Sequence, residues 1–294
     1  MGNAKQIVTT AVPGIFVLLW STGFIGARLG LPYAEPFTFL ALRFAIITVL
    51  LTLIAWAWRA PWPKSLREAG HIAIVGLLIQ GSYLGGVFWA ISQGIPAAIA
   101  ALIVGVQPVL TAVAAGPYLG EKVNARQWIG FLIGFGGVAM VVGDDIAPGS
   151  GSAIGIIACV VSLLGITLGT LYQKRHSQGM DLRTGSAIQF AVAALPMLAL
   201  SLVLEDGVIE WSGEFIFALS WLIVVLSLGA MTLLYIIIRR GEASKVASLF
   251  YLVPPVVALE AWLLFDETLE IGDIIGMAVA MVAVALVVHT GRKG

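Results

Sequence analysis

Apolar stretches of about 18 to 24 residues recur from one end of this chain to the other, and each can cross roughly 30 Å of hydrocarbon. They fall at about 12–30, 37–58, 69–91, 95–118, 126–142, 152–173, 184–204, 215–238, 243–265 and 271–289. Turn residues or charges fill the breaks, as in RAPWPKSLREAG, GDDIAPGSGS, QKRHSQGMDLR and EDGVIEWSGE. The expected fold class is therefore an all-α polytopic membrane protein with ten transmembrane helices. Composition agrees: 60% of residues are hydrophobic and 11% charged, where soluble domains run near about a quarter charged. The first stretch lacks a small-x-small cleavage site, so it reads as a retained span and not as a signal peptide.

The charges sort by side. With ten spans both termini share one face, and Lys5, Arg59, Lys64, Arg67, Lys122, Arg126, Lys174, Arg175, Arg183, Arg239, Arg240, Lys245, Arg292 and Lys293 fall there, fourteen of the sixteen basic residues. The opposite face collects mainly acids, including Glu35, Asp144, Asp145, Glu205, Asp206, Glu210, Glu214, Asp266 and Glu267. Basic loops stay in the cytoplasm. The expected location is the bacterial inner (plasma) membrane, multi-pass, with both termini cytoplasmic. Trp56, Trp58 and Trp62 suit an aromatic belt on that side.

Several functions are disfavoured. Net charge is zero, so nucleic acid is not an expected partner. The single cysteine, Cys159, excludes an internal disulfide and a cysteine-built metal centre. His71, His176 and His289 lack ligand spacing, and no metal or other cofactor is expected. No Gly-Lys-Ser/Thr phosphate loop follows any glycine run, which argues against ATP drive from this chain.

The halves resemble one another. A shift of 146 residues carries Pro108 onto Pro254, Glu121 onto Glu267, Gly130 onto Gly276, Thr38 onto Thr184, Phe44 onto Phe190 and Trp89 onto Tyr235. Each half, 1–146 and 147–294, holds five expected helices. An odd number sends the second copy into the membrane inverted, an architecture used by secondary transporters for alternating access. A duplicated structural bundle is the plainer alternative.

Ten helices in two halves, with Pro108, Gly120, Glu121, Gln127 and Gly130 in a Pro…Gly-Glu-x-x-x-x-x-Gln-x-x-Gly pattern, resemble the drug/metabolite transporter superfamily, EamA type. The second copy is degenerate: Asp266-Glu267 replaces Gly-Glu, and Asp273 replaces the glutamine. The resemblance implies helices around a central cavity and export of amino acids or metabolites. Length and plan are most similar to the family's aromatic amino-acid exporters. Its motifs mark helix packing, so nucleotide sugars, other metabolites or drugs stay open as substrates.

Polar residues inside the spans supply the site candidates. Pro108, Pro254 and Pro255, with Pro96, remove backbone N–H donors and free carbonyls, which in lipid must find a partner or line a cavity. Helical phase places Gln107 and Thr111 on one face of the fourth span and Ser82 and Trp89 on one face of the third. Gln189 marks the seventh; Ser244, Ser248 and Tyr251 mark the ninth. Polar groups avoid lipid, so these faces point inward, as pathway lining or as interhelical hydrogen bonds. Trp20, Tyr83, Trp89 and Tyr251 offer aromatic faces suited to aromatic or cationic solutes, with interfacial anchoring the stronger reading for Trp89. Arg43 and Glu260 are the clearest intramembrane charges. Opposite sign and similar depth predict a pair, against snorkelling or proton coupling by Glu260. Gly26/Gly30, Gly81/Gly85 and Gly165/Gly169 have the spacing of close helix contacts.

The leading expectation is a secondary transporter taking a small-molecule substrate within the lipid bilayer. Nothing calls for a partner chain, and a monomer is the expectation. A polytopic membrane enzyme is the rival. It finds no paired intramembrane aspartates, no His-Glu-x-x-His and no serine nucleophile with a membrane histidine, so no catalytic residue is expected.

Overall fold

The computed structural model describes residues 2–119, 152–177, 179–230, 250–266 and 271–289, with single positions at 125, 128, 129, 132, 133, 136 and 233. The expected fifth span, the end of the eighth and the start of the ninth lie outside the described residues. Among those described the chain is helical. The one strand-like feature is an antiparallel bridge between Ala34 and Ile209.

Helix α1 covers Gly2–Gly30, α2 Pro36–Ala57, α3 Leu66–Ser92, α4 Ala97–Gly105, α5 Gln107–Leu119, α6 Ser152–His176, α7 Leu182–Leu204, α8 Gly213–Ala230, α9 Val253–Phe265 and α10 Ile271–His289. Among the described residues, five helices are long and apolar enough to cross a membrane: α2, α3, α6 from Ala153, α7 and α8. Their outer faces carry large apolar side chains that water would not tolerate; Leu202 is 76% exposed and Val203 78%.

The helix ends follow local chemistry. Pro36 fits the first turn of α2, where its missing N–H costs nothing. The Glu205 carboxylate, from beyond α7, accepts from the Phe37 and Thr38 N–H groups at 2.8 and 2.7 Å and from the Thr38 hydroxyl at 2.7 Å. Ser65 accepts from the Glu68 N–H at the start of α3, and Ser212 from the Phe215 N–H at the start of α8. Asp181 caps α7, and the hydrogen bond from the Arg183 side chain holds its carboxyl below the usual carboxylate range.

Two features depart from ten straight helices. The fourth span is broken at Val106 into α4 and α5. Pro108 enters the first turn of α5, while Pro96 stands before the first turn of α4 and interrupts nothing. In α3 and α8 the backbone widens into π-helical segments, Leu77–Leu84 and Leu222–Ala230.

Element bounds recur at the 146-residue shift. It carries Pro36–Ala57 onto α7, Gln107–Leu119 onto Val253–Phe265, and Leu77–Leu84 to within a residue of Leu222–Ala230. Helices α2 and α7 pack side by side and antiparallel. Thr38 at the start of α2 meets Ser201 at the end of α7, with hydroxyl oxygens 2.6 Å apart. The Thr184 hydroxyl, at the start of α7, donates at 2.8 Å to the Pro61 carbonyl just past α2. Between them Phe44 packs on Phe190, its counterpart under the shift, at 5.4 Å between ring centroids.

Glycines set the close approaches. A Cβ on Gly76 would lie 2.6 Å from the Gln189 Cα, and one on Gly165 would lie 2.9 Å from the Leu78 carbonyl oxygen. Such crossings maximise dispersion where lipid offers no hydrophobic drive. Of the glycine pairs expected at contacts, Gly26, Gly30, Gly85, Gly165 and Gly169 meet another helix. Gly81 meets only the Gly76 carbonyl of its own helix.

Candidate functional site

The break in the fourth span meets the start of α9. The Gly105 end of α4 abuts Pro254, whose ring carbon would lie 2.9 Å from a Cβ at Gly105. Pro254 and Pro255 occupy the first turn of α9, behind a 3₁₀ turn at Phe250–Leu252. A missing N–H is tolerated there, so the prolines start a helix after the break and do not kink a continuous one.

A small cavity opens where these breaks face α1 and α3. Trp20, Tyr83, Gln107 and Pro108 line it, together with Phe24, Ile166, Phe250 and Val253. Its volume of about 20 Å³ holds one water and no organic solute. Trp20 stands edge-on to Phe250 with centroids 5.2 Å apart, and Phe16 buttresses both at 5.4 and 5.5 Å. Tyr83 projects from the π-helical segment of α3 and is buried. The Gln107 amide donates to the Thr111 hydroxyl at 3.2 Å, so Thr111 sits one turn beyond the cavity and steadies Gln107.

Other candidates are placed elsewhere. Ser82 points to α6, where its hydroxyl donates to the Val161 carbonyl at 3.4 Å beside Gly165. Gln189, 3% exposed, packs at the α3–α7 crossing against Gly76 and approaches the Met180 sulfur at 3.8 Å. Both serve helix contacts, the alternative reading of a polar residue in a span. Trp89 stacks on Phe37 at 5.2 Å, away from the cavity. Ser244 and Ser248 lie outside the described residues. Tyr251 falls in the 3₁₀ turn.

The expected Arg43–Glu260 pair makes no direct contact among the described residues. Arg43 is 2% exposed, and its Nη2 donates to the Leu222 carbonyl at 3.4 Å and to the Ser227 hydroxyl at 3.2 Å, both in the π-helical segment of α8. Glu260 instead accepts from the Ser21 hydroxyl of α1 at 2.9 Å. Similar depth does not fix direction around a helix axis: α2 presents Arg43 to α8, while α9 presents Glu260 to α1.

Sequence reasoning missed the apolar wall, Phe24, Ile166, Phe250 and Val253, because it searched spans for polar groups. One signal was available: Phe24 lies four residues after Trp20, on the same helical face. No group of three or more metal-binding side chains occurs among the described residues.

Comparison with known proteins adds a family. Residues 14–143 and 153–289 each match the model of the EamA-like transporter family. The chain is 28% identical over 291 residues to the uncharacterized transporter YvbV of Bacillus subtilis, covering 98% of this chain and 93% of that one. It is 24% identical, over 91% of its length and 90% of the other's, to a probable amino-acid metabolite efflux pump of Escherichia coli. A solved crystal structure superposes with a TM-score of 0.68 at 19% identity, over 97% of this chain and 98% of the other, which shows a shared fold.

Proposed function

The chain belongs to the EamA-like transporter family, and from that premise we propose that it exports amino acids, aromatic ones foremost, across the bacterial inner membrane. It is a multi-pass membrane transporter; the substrate and the mechanism are the proposal. Two inverted five-helix halves, 1–146 and 147–294, exchange inward-open and outward-open arrangements around a central site. The antiparallel α2–α7 contact, with Phe44 on Phe190, supports inversion: two equivalent helices that run in opposite directions relate their halves by an axis lying in the membrane.

One observation carries the reading: the break between α4 and α5 and the proline-led start of α9 meet at a cavity walled by Trp20, Tyr83 and Phe250. Aromatic faces recognise flat apolar side chains, and backbone groups at helix breaks hold the polar ends of a solute. The cavity is too small for any amino acid as it stands, so binding requires α1 or α9 to withdraw. The relative described as an amino-acid metabolite efflux pump points to the same substrate class. Cytoplasmic termini follow from the sorting of basic residues.

The test is uptake into proteoliposomes of labelled aromatic, aliphatic and charged amino acids and an aromatic cation. Aromatic amino acids are expected to enter, and Trp20→Ala to lower their uptake about tenfold, the size of one lost aromatic contact. Aliphatic or charged substrates entering while aromatic ones do not would remove the aromatic assignment.

A further inference from the structure

Glu260 is a carboxyl group inside the bilayer without a positive partner among the described residues. It is half-buried between α1 and α9, one helix from each half of the chain. Its Oε1 lies 2.9 Å from the Ser21 hydroxyl oxygen. That oxygen also lies 2.9 Å from the Leu18 carbonyl. Its Oε2 is buried and has no hydrogen-bond partner among the described residues.

The proton count favours a protonated carboxyl. A serine hydroxyl has one hydrogen to donate. If Glu260 were ionised, it and the Leu18 carbonyl would have to share that hydrogen in a three-centre arrangement, and each contact would be weaker than a full hydrogen bond. If Glu260 is protonated, its O–H donates to the Ser21 oxygen and Ser21 donates to Leu18. Both contacts are then full hydrogen bonds, and the unpartnered Oε2 belongs to a neutral acid and not to a buried charge, which is far less costly in lipid.

We propose that Glu260 is a proton-binding site, occupied while α1 and α9 are in contact, through which proton uptake and release are linked to the movement of α1 against α9. Val253, on the same face of α9 two turns earlier, lines the cavity, as do Trp20 and Phe24 on either side of Ser21 in sequence. Separation of α1 from α9 breaks the Ser21 contact and admits water, which takes the proton from the carboxyl. Closure requires a proton from whichever side the site then faces. Among the described residues the charged surroundings are sparse. From α1 the nearest ionisable group is Arg28, whose guanidinium lies over the Phe265 ring at 5.5 Å. Helix α4 supplies none, the turn Phe250–Leu252 supplies Tyr251, and α9 itself ends at Asp266.

The inference rests on the transport reading only for its coupling step, and two measurements keep them apart. The first is the infrared difference spectrum of the reconstituted wild type as pH is raised from about 5 to about 9, a range wide enough for a shielded carboxyl. A carboxylic-acid carbonyl band should disappear with pH, be absent from Glu260→Gln, and move in frequency in Ser21→Ala, which removes its hydrogen-bond acceptor. Identical wild-type and Glu260→Gln spectra would overturn the site. The second is uptake of a labelled aromatic amino acid with and without an imposed pH gradient. Wild type should respond to the gradient and Glu260→Gln should not; an equal response in both would overturn the coupling. If wild type moves no amino acid, the substrate reading fails, and the infrared band alone decides the proton site.

Discussion

Single side chains in this protein act largely by satisfying the backbone of another element. Glu205 is the clearest case. Its carboxylate takes two N–H groups from the first turn of α2, groups that a helix cannot satisfy internally, and adds the Thr38 hydroxyl. Negative charge at that end also interacts favourably with the positive end of the helix dipole. Glu205→Ala should therefore destabilise the folded protein by about 1–2 kcal/mol, read as a lower midpoint in detergent thermal unfolding, and Glu205→Gln by less. An unchanged midpoint in the alanine variant would mean that water replaces the cap. None of this was legible from the sequence, where Glu205 counted only as an acid on one side of the membrane. Arg43 and Glu260 were legible as exceptional residues, yet their partners were not. Depth along a helix can be counted from its ends, but direction around the axis requires an amphipathic contrast, and lipid removes it by making the outside as apolar as the inside.

At the scale of elements, hydropathy located the five described helices of membrane-spanning length, because a bilayer sets that length. It could not locate the places where helices stop being α-helical. The break at Val106 and the 3₁₀ turn at Phe250–Leu252 were half visible through Pro108, Pro254 and Pro255. The π-helical segments were not, since neither Leu77–Leu84 nor Leu222–Ala230 contains a proline. Their cause is in the packing. Gly76, just ahead of the first, brings α3 onto the backbone of α7 at Gln189. Leu222, which opens the second, gives its carbonyl to Arg43 and to the Ser227 hydroxyl at 3.0 Å. A widened turn leaves backbone and side chains reoriented, and Tyr83 reaches the cavity from such a turn. Gly76→Ala places a methyl group 2.6 Å from a backbone atom that cannot rotate away. The expected cost is about 1–3 kcal/mol, with a lower thermal midpoint and less monodisperse protein on gel filtration. Gly70→Ala, which meets open space, is the control and should behave as wild type.

Among the described helices, α2 and α7 make the most extensive contact. If the molecule's halves exchange roles across an axis passing between Phe44 and Phe190, the groups nearest that axis move least and those farthest from it move most. Thr38 and Ser201, with oxygens 2.6 Å apart, join equivalent helices along this seam. Gly105 and Pro254 join the two helix breaks that close the cavity. Two cross-links therefore have opposite expected effects in a background lacking the buried Cys159. A disulfide between Thr38→Cys and Ser201→Cys should form readily and leave amino-acid uptake intact, because it fastens parts that do not separate. A disulfide between Gly105→Cys and Pro254→Cys should stop uptake, and reduction should restore it, because it holds the breaks together around a space of about 20 Å³ that no amino acid can enter. Uptake that survives the second cross-link but not the first would place the moving parts on the opposite side of the molecule, with α2 and α7 parting while the proline breaks stay joined. The substrate would then have to pass along the α2–α7 seam, where Arg43 lies buried against α8, and the cavity beside Trp20 would be a packing defect.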